Sequence, residues 1–209
     1  MKYQCVIWDW NGTLADDLMA SLYATNDILA HHGKPPITLE QYYSYIDTPI
    51  SRFHEHLFDL NEVPMTVIGQ EFSAFYSRYF ENLHKGVKDL LEKLRSAGVK
   101  QVILSSAHRE SIERDTAALG IMPYFDDILA ADDLLAESKE ERGRVWAVQQ
   151  SIPTDQMVVI GDTLHDLAAA RYIGADCILC AIGHQSESDL LTGGVPVVRS
   201  FRELEPLLL

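Results

Sequence analysis

Apolar residues along this chain fall into two rhythms, and the change between them divides it. It opens with an unbroken apolar run, Cys5–Trp8, which reads as a buried strand. A polar turn follows at once: Asp9, Trp10, Asn11, Gly12, Thr13. From there to Lys85 the spacing is helical. Residues 16–32 carry Leu18, Leu22, Ile28 and Leu29 on one face and stop at Gly33, Pro35 and Pro36. Residues 39–60 read as a second helical stretch broken near Pro49, and Pro64 opens a third over 65–83. The aromatic stripe of that third helix, Phe72, Phe75, Tyr76 and Tyr79, is expected to be core rather than a ligand box. No strand is expected between Ala15 and Lys85.

From Gly86 onward helix and strand alternate. The pattern predicts strands over 102–104, 128–130, 157–160, 177–179 and 195–198. Helices fall over 87–94, 111–119, 140–150, 164–173 and 201–208, with Gly98, Gly120 and Gly174 as stops. Strands alternating with helices of this length give right-handed crossovers and a parallel sheet covered on both faces. The expected class is therefore α/β, with 1–14 and 86–209 forming the core and 15–85 an inserted helical domain. The insertion leaves the sheet directly after the first strand, above its carboxyl edge, where a lid belongs.

Composition narrows the function. The 209 residues are 47% hydrophobic, enough for a proper core. A net charge of −14 repels phosphate backbones, so nucleic acid and anionic membrane are not expected partners. A small anionic substrate would need a local cation to bind. Three cysteines and no signal peptide point to reduced thiols in the cytoplasm. Cys177 and Cys180 form a CILC run, but spacing of three on a strand sends the side chains to opposite faces, against a zinc or redox pair. No apolar stretch approaches the ~18 residues of a membrane span.

Three of the predicted strands end in polar groups: Asp9 and Asn11 after the first, Ser105 and Ser106 after the second, Asp162 after the fourth. In open α/β sheets that edge binds ligands. Asp166 follows Asp162 by one helical turn, and Lys139 opens the helix before the fourth strand. Magnesium takes oxygen ligands, usually one or two carboxylates plus substrate phosphate and waters. Asp9 and Asp162 suit it directly, and Asp166 could hold a ligating water. Ser105, backbone N–H groups and Lys139 could bind the oxygens of a transferring phosphoryl group. Each residue also has an ordinary reading. Asn11-Gly12 is a common turn, Ser105 and Ser106 could cap a helix, Asp166 suits a helix N-terminus, and Lys139 sits in the charged run ESKEER.

Taken in order, these residues resemble the haloacid dehalogenase superfamily, in the subgroup of phosphohydrolases with a helical cap. The resemblance spans nearly the full length. DWNGTL resembles the first motif, VILSS the second, SKEERGRVWAV the lysine-bearing third, and VVIGDTLHD the fourth. The tail from Ala181 is similar to phosphoglycolate phosphatase-like members. The resemblance implies a Rossmann-like three-layer core and a Mg2+-dependent phosphatase acting on a small phosphorylated metabolite, as a monomer or homodimer. It implies Asp9 as a nucleophile that forms an aspartyl phosphate. Asp9, Asp162, Asp166 and the backbone carbonyl of Asn11 would serve the metal. Ser105 and Lys139 would bind the phosphoryl group, with Gly12, Thr13 and Ser106 around it.

Asn11 departs from the pattern, since the family's phosphatases usually carry a second Asp there to protonate the leaving group and activate water. General acid–base catalysis is worth ~10²–10⁴-fold. The departure leaves several readings open: substrates with good leaving groups; a proton from His165, His54 or His56; deamidation of Asn11-Gly12; or an impaired enzyme that binds a phospholigand. Arg52 lies where sugar-phosphate members place a substrate-binding arginine, which keeps a mutase as an alternative; a surface helix arginine is the plain one. His54 and His56, two apart, do not share a helix face.

Overall fold

The structure, a computed structural model, describes residues 2–47, 50–131 and 138–209. In chain order the elements begin with β1 (Cys5–Trp8) and the helices α1 (Leu18–His31), α2 (Leu39–Tyr45), α3 (Ile50–Glu55) and α4 (Met65–Tyr76). There follow α5 (Val87–Ser96), β2 (Lys100–His108), α6 (Arg109–Ala118), β3 (Asp127–Ala131), α7 (Lys139–Ala147), β4 (Met157–Gly161) and α8 (Leu164–Ile173). The chain closes with β5 (Asp176–Cys180), α9 (Glu187–Leu190), β6 (Val197–Val198) and α10 (Phe201–Leu208). Two compact units result: residues 1–15 with 82–209, and residues 16–81.

The first unit is a six-stranded parallel sheet in the order β3-β2-β1-β4-β5-β6. The chain builds outward from β1 to β3, then returns to build β4 to β6 on the other side. The order therefore reverses between β1 and β4, the kind of switch point at which open α/β sheets bind ligands. Register puts like faces together: Ile7 lies beside Val102 and Val159, and Val159 beside Cys177. That face carries a cluster of Cys5, Ile7, Leu104, Val159 and Leu179 with Trp146 of α7 and Leu167, Ala170 and Ile173 of α8. On the opposite face Trp8 stacks on Phe201 of α10 at 6.0 Å. The buried amide of Gln101 accepts from Trp8 Nε1 at 3.3 Å and donates to the Leu91 carbonyl of α5 at 2.9 Å, so its polar atoms are satisfied within the core. The sheet is thus covered on both faces, as the alternation predicts.

Several boundaries differ from the sequence reading: α7 ends at Ala147 and not Gln150, β6 is only Val197–Val198, α3 ends at Glu55, and two further differences bear on the argument. The second strand runs on through Ser105 and Ser106 to His108, with a register shift against β3 between Leu104 and His108. Ser105 is buried and its neighbour Ser106 exposed, as alternation along a strand sends adjacent side chains to opposite faces. Neither serine caps α6; its N-cap position is His108. The third predicted helix ends at Tyr76 instead of Leu83. No Gly or Pro marks that end. The chain tightens into short turns (Arg78 N to Phe75 O, 3.0 Å), and Leu83 then pairs with Ala15 as an isolated bridge in the sheet-bearing unit. The predicted break near Pro49 lies outside the described residues; α2 and α3 flank it.

The helical unit has its own core of Leu22, Ile28, Leu29, Tyr42, Phe53, Phe58 and Ile68. Phe72, Tyr76 and Phe80 form a stacked column with centroid spacings of 5.5 and 5.4 Å. Tyr79, assigned to that stripe from sequence, is exposed and donates its hydroxyl to Asp27 at 2.7 Å. α2 begins with a reciprocal cap, Thr38 N to Gln41 Oε1 at 2.9 Å and Gln41 N to Thr38 Oγ1 at 3.2 Å. None of the helices is long and apolar enough to cross a membrane, among the described residues.

Candidate active site

β1 ends where its last ladder bond, Asp9 N to Ile160 O at 2.8 Å, ties it to β4. The turn then closes on the Trp10 carbonyl, which accepts from the amides of Leu14 and Ala15 at 3.0 and 2.9 Å. Gly12 stands inside this turn at φ +70°, in the left-handed region that favours glycine. A Cβ there would lie 2.1 Å from Asp162 Oδ2. A Cβ on Gly183 would meet the same oxygen at the same distance. Two glycines from two loops therefore let backbone close around one carboxylate.

The carboxylates of Asp9, Asp162 and Asp166 converge, each buried, with one oxygen from each within 4.8 Å of the others. Asp162 Oδ1 accepts from Thr13 Oγ1 at 3.2 Å and Oδ2 from the His184 amide at 2.6 Å. Asp166 Oδ2 accepts from the amide and hydroxyl of Thr163 at 3.0 and 2.8 Å, and Oδ1 from Lys139 Nζ at 2.6 Å. Lys139 also donates to Asp9 Oδ1. The lysine is only 5% exposed, so it is not one more solvated charge of its run. Ser138 caps α7 from outside, accepting from the Glu141 amide at 3.2 Å, which aims the first turn and Lys139 at the sheet edge.

Charge in this site is unbalanced. Burial pushes the Asp9 carboxyl up to about 8, Lys139 opposes the rise, and the Asp166 and Asp162 carboxylates add to it. Burial alone would lower Lys139, but Asp166 and Asp9 hold it above its ordinary value. Burial would likewise raise Asp166; Lys139 and Thr163 keep it below the usual carboxylate range. Among the described residues Lys139 thus serves both Asp9 and Asp166, with the Asp162 carboxylate beside them, and Asp9 is the carboxyl driven upward. An oxygen-only donor set short of cationic charge suits a hard divalent ion such as Mg2+. Asp9, Asp162 and Asp166 are the carboxylates that would hold it.

The other expected residues divide. Ser105 Oγ accepts from the Ala107 amide at 3.1 Å, and its carbonyl takes Arg142 Nη2 at 3.2 Å, so β2 brings a positioned hydroxyl to the same edge. Arg52 belongs to the helical unit, on α3, where it is exposed and meets Asp47 at 3.4 Å. His165 bonds Glu140 at 2.8 Å. Burial drives the His54 imidazole down to about 4, leaving it neutral near pH 7, and His56 stacks on Tyr45 at 4.7 Å. The CILC cysteines are buried free thiols; burial pushes Cys177 up to about 12 and Cys180 higher still.

Sequence reasoning missed the loop after β5. Gly183 and His184 complete the shell of Asp162, and Gln185 Oε1 accepts from the first amide of α8, Leu164 N, at 2.7 Å. The signal was present, since β5 too is an apolar run that ends in Gly and polar side chains at the carboxyl edge.

Comparison with known proteins bears on what this site belongs to. The chain is similar to the phosphoglycolate phosphatase of Chromobacterium violaceum, 27% identical with 98% of this chain and 96% of that protein covered. It is similar to that of Nitrosospira multiformis at 24%, covering 91% and 88%. Among solved structures, a haloacid dehalogenase-like hydrolase from Streptococcus pneumoniae superposes with a TM-score of 0.86 at 19% identity, covering 100% and 99%. CbbY from Rhodobacter sphaeroides, solved in complex with phosphate, gives 0.78 at 23% identity, covering 97% and 96%. A family model of haloacid dehalogenase-like hydrolases matches residues 6–180, from inside β1 to the end of β5. The chain that closes two glycine loops around Asp162 and buries Lys139 between Asp9 and Asp166 belongs to the haloacid dehalogenase-like hydrolase family.

Proposed function

We propose that this chain is a magnesium-dependent phosphatase that hydrolyses a small phosphomonoester through an aspartyl phosphate on Asp9. The observation that carries this reading is the buried Asp9–Lys139–Asp166 chain at the switch point, beside Asp162. The phosphoglycolate phosphatases among its relatives support a small phosphomonoester as substrate. Bound magnesium supplies positive charge between two anions that would otherwise repel. Asp9 attacks phosphorus, the ester P–O bond breaks, and the electron pair leaves on the alcohol oxygen. Water then attacks the same phosphorus and breaks its bond to the Asp9 oxygen, releasing phosphate and the Asp9 carboxylate; the proton that water gives up to solvent balances the one the leaving oxygen takes from it. Lys139 and Ser105 hold the phosphoryl oxygens, and Thr13 fixes Asp162. Asp166 acts as a positioning residue, with both oxygens accepting hydrogen bonds, one of them from Lys139.

Asn11 offers no proton to the leaving oxygen, so the reading favours esters of acidic alcohols. Para-nitrophenyl phosphate with Mg2+ is the test. The parent is expected to turn over and Asp9→Asn to fall to background, while Asn11→Asp should gain at least ~10²-fold on alkyl phosphates, whose leaving groups are poorer. Asn11 also favours a second reading, a phospholigand-binding protein of negligible turnover. A parent that binds phosphate with Mg2+ yet leaves this activated ester intact would establish it and sink the first.

A further inference from the structure

The helical unit holds a second group of metal-ligating side chains, far in chemistry from the oxygen-only site. His31 ends α1 and His32 follows as its C-cap residue, at φ −93° and ψ 15°. Glu71 lies on α4. The Glu71 carboxylate stands between the two imidazoles, with Oε1 2.8 Å from His31 Nδ1 and Oε2 3.0 Å from His32 Nε2. One ligand atom from each of the three lies within 4.8 Å of the others. Consecutive residues inside a helix point about 100° apart. These two reach one carboxylate because the helix ends between them and they use different ring nitrogens.

The surroundings hold the group in place. The edge of His32 packs against the Phe58 ring at 5.6 Å and 77°, and the rings of His31 and His32 lie 5.2 Å apart. The Glu71 side chain is 17% exposed and that of His32 24%, while His31 is open at 62%. The triad is therefore partly sheltered, with one side facing solvent. Two imidazole nitrogens and one carboxylate oxygen form a donor set suited to zinc and its first-row neighbours, and three protein ligands leave a fourth position for water. Magnesium, which takes oxygens, does not favour it.

We propose that His31, His32 and Glu71 form a binding site for a divalent transition ion of the zinc class, joining the end of α1 to α4. Binding would replace the contacts between the imidazoles and Glu71, and would pin the two helices at that end. Two hydrogen bonds already join this pair of segments elsewhere, Tyr76 to Asp17 at 2.9 Å and Tyr79 to Asp27 at 2.7 Å.

The test is calorimetric titration of the full chain with Zn2+ in saturating Mg2+, with Co2+ absorption as the second probe. One equivalent is expected to bind, with the visible bands of a four-coordinate site and a raised unfolding midpoint. His32→Gln and Glu71→Gln should each weaken binding at least ~10-fold and remove the midpoint shift, while Asp162→Asn leaves both intact. Circular dichroism and unfolding of each variant in chelator separate a lost ligand from a lost fold. Absence of Zn2+ binding overturns the proposal. So does binding that survives both substitutions, or that disappears in Asp162→Asn; the triad is then a hydrogen-bonded tie between helices.

Discussion

The two units place their polar groups differently. In the sheet-bearing unit the charges gather at strand ends: Asp9, Asp162, Asp166 and Lys139 share one small volume, and Asp9 is held far from its ordinary titration range by it. In the helical unit Tyr76 to Asp17 and Tyr79 to Asp27 are separate ties between segments. The contrast teaches where to look for chemistry. A tie pairs a donor with an acceptor and does structural work, whereas a cluster with more carboxylates than ammonium groups favours a further cation.

The sharpest way to break the contrast is to empty the cluster of its cation. Lys139→Met should cost roughly 10²–10³-fold in kcat, the scale found when a preorganised charge-stabilising donor is removed. It also leaves Asp9 and Asp166 facing each other without their ammonium. The measurement is turnover of para-nitrophenyl phosphate at saturating Mg2+; a loss under tenfold would remove Lys139 from the phosphoryl site. Next in size is Gly12→Ala. Its Cβ meets Asp162 Oδ2 at 2.1 Å, from a φ of +70°. Strain of this kind costs about 1–3 kcal/mol, and the carboxylate must move. Phosphate binding with Mg2+ should weaken together with the denaturant midpoint, because one atom serves both.

That prediction also shows what hydropathy could and could not convey. Strand ends were legible, because apolar runs stopping at Asp9, Ser105 and Asp162 are visible in one dimension, and alternation with helices made the sheet parallel. Lys139 was harder: four of its near neighbours are charged, and only the Ser138 cap and the packing of α7 on the sheet turn it inward. The continuation of β2 through Ser105 and Ser106 to His108, with a register shift against β3, was not visible because these residues lack the apolar run that marked the strand. His184 contributes its backbone amide, which any residue could supply, so its identity carried no signal. The end of α4 was invisible because Ser77, Arg78 and Tyr79 contain no helix breaker.

A gentler probe is pH. A carboxyl whose folded pKa is raised binds more protons folded than unfolded, so stability falls as pH rises from the unfolded value, about 4, toward the folded value, about 8 for Asp9. His54 works the other way: its folded value, pushed down to about 4, makes stability rise until pH passes its unfolded value of about 6.5. The two oppose each other below pH 6.5, and above it, up to pH 8, His54 no longer offsets the slope of Asp9. Metal-free protein should lose stability across that window, by at most about 1.4 kcal/mol per pH unit per proton. Mg2+ should flatten the slope, and so should Asp9→Asn. Unfolding midpoints at pH 6.5 and 8, with Mg2+ and with chelator, decide the matter; equal slopes in all cases would mean that Asp9 is already ionised.

The smallest effects belong to the ties, and they rank themselves by burial. Tyr76 and Asp17 are both buried, so Tyr76→Phe leaves a carboxylate in the interior with one donor fewer, at a cost of about 1–3 kcal/mol. Tyr79→Phe removes a hydrogen bond of nearly the same length, 2.7 Å against 2.9 Å, but at an exposed position where water replaces the lost hydroxyl. Its cost should stay below about 0.5 kcal/mol, as for ordinary surface substitutions. Denaturant unfolding of the two variants compares one chemical change in two solvents. Equal losses would mean that water reaches Asp17, and that burial does not set the worth of these contacts. Unequal losses, in the order given, would make Asp17 the polar group on which the helical unit depends, as Asp162 is for the loops around it.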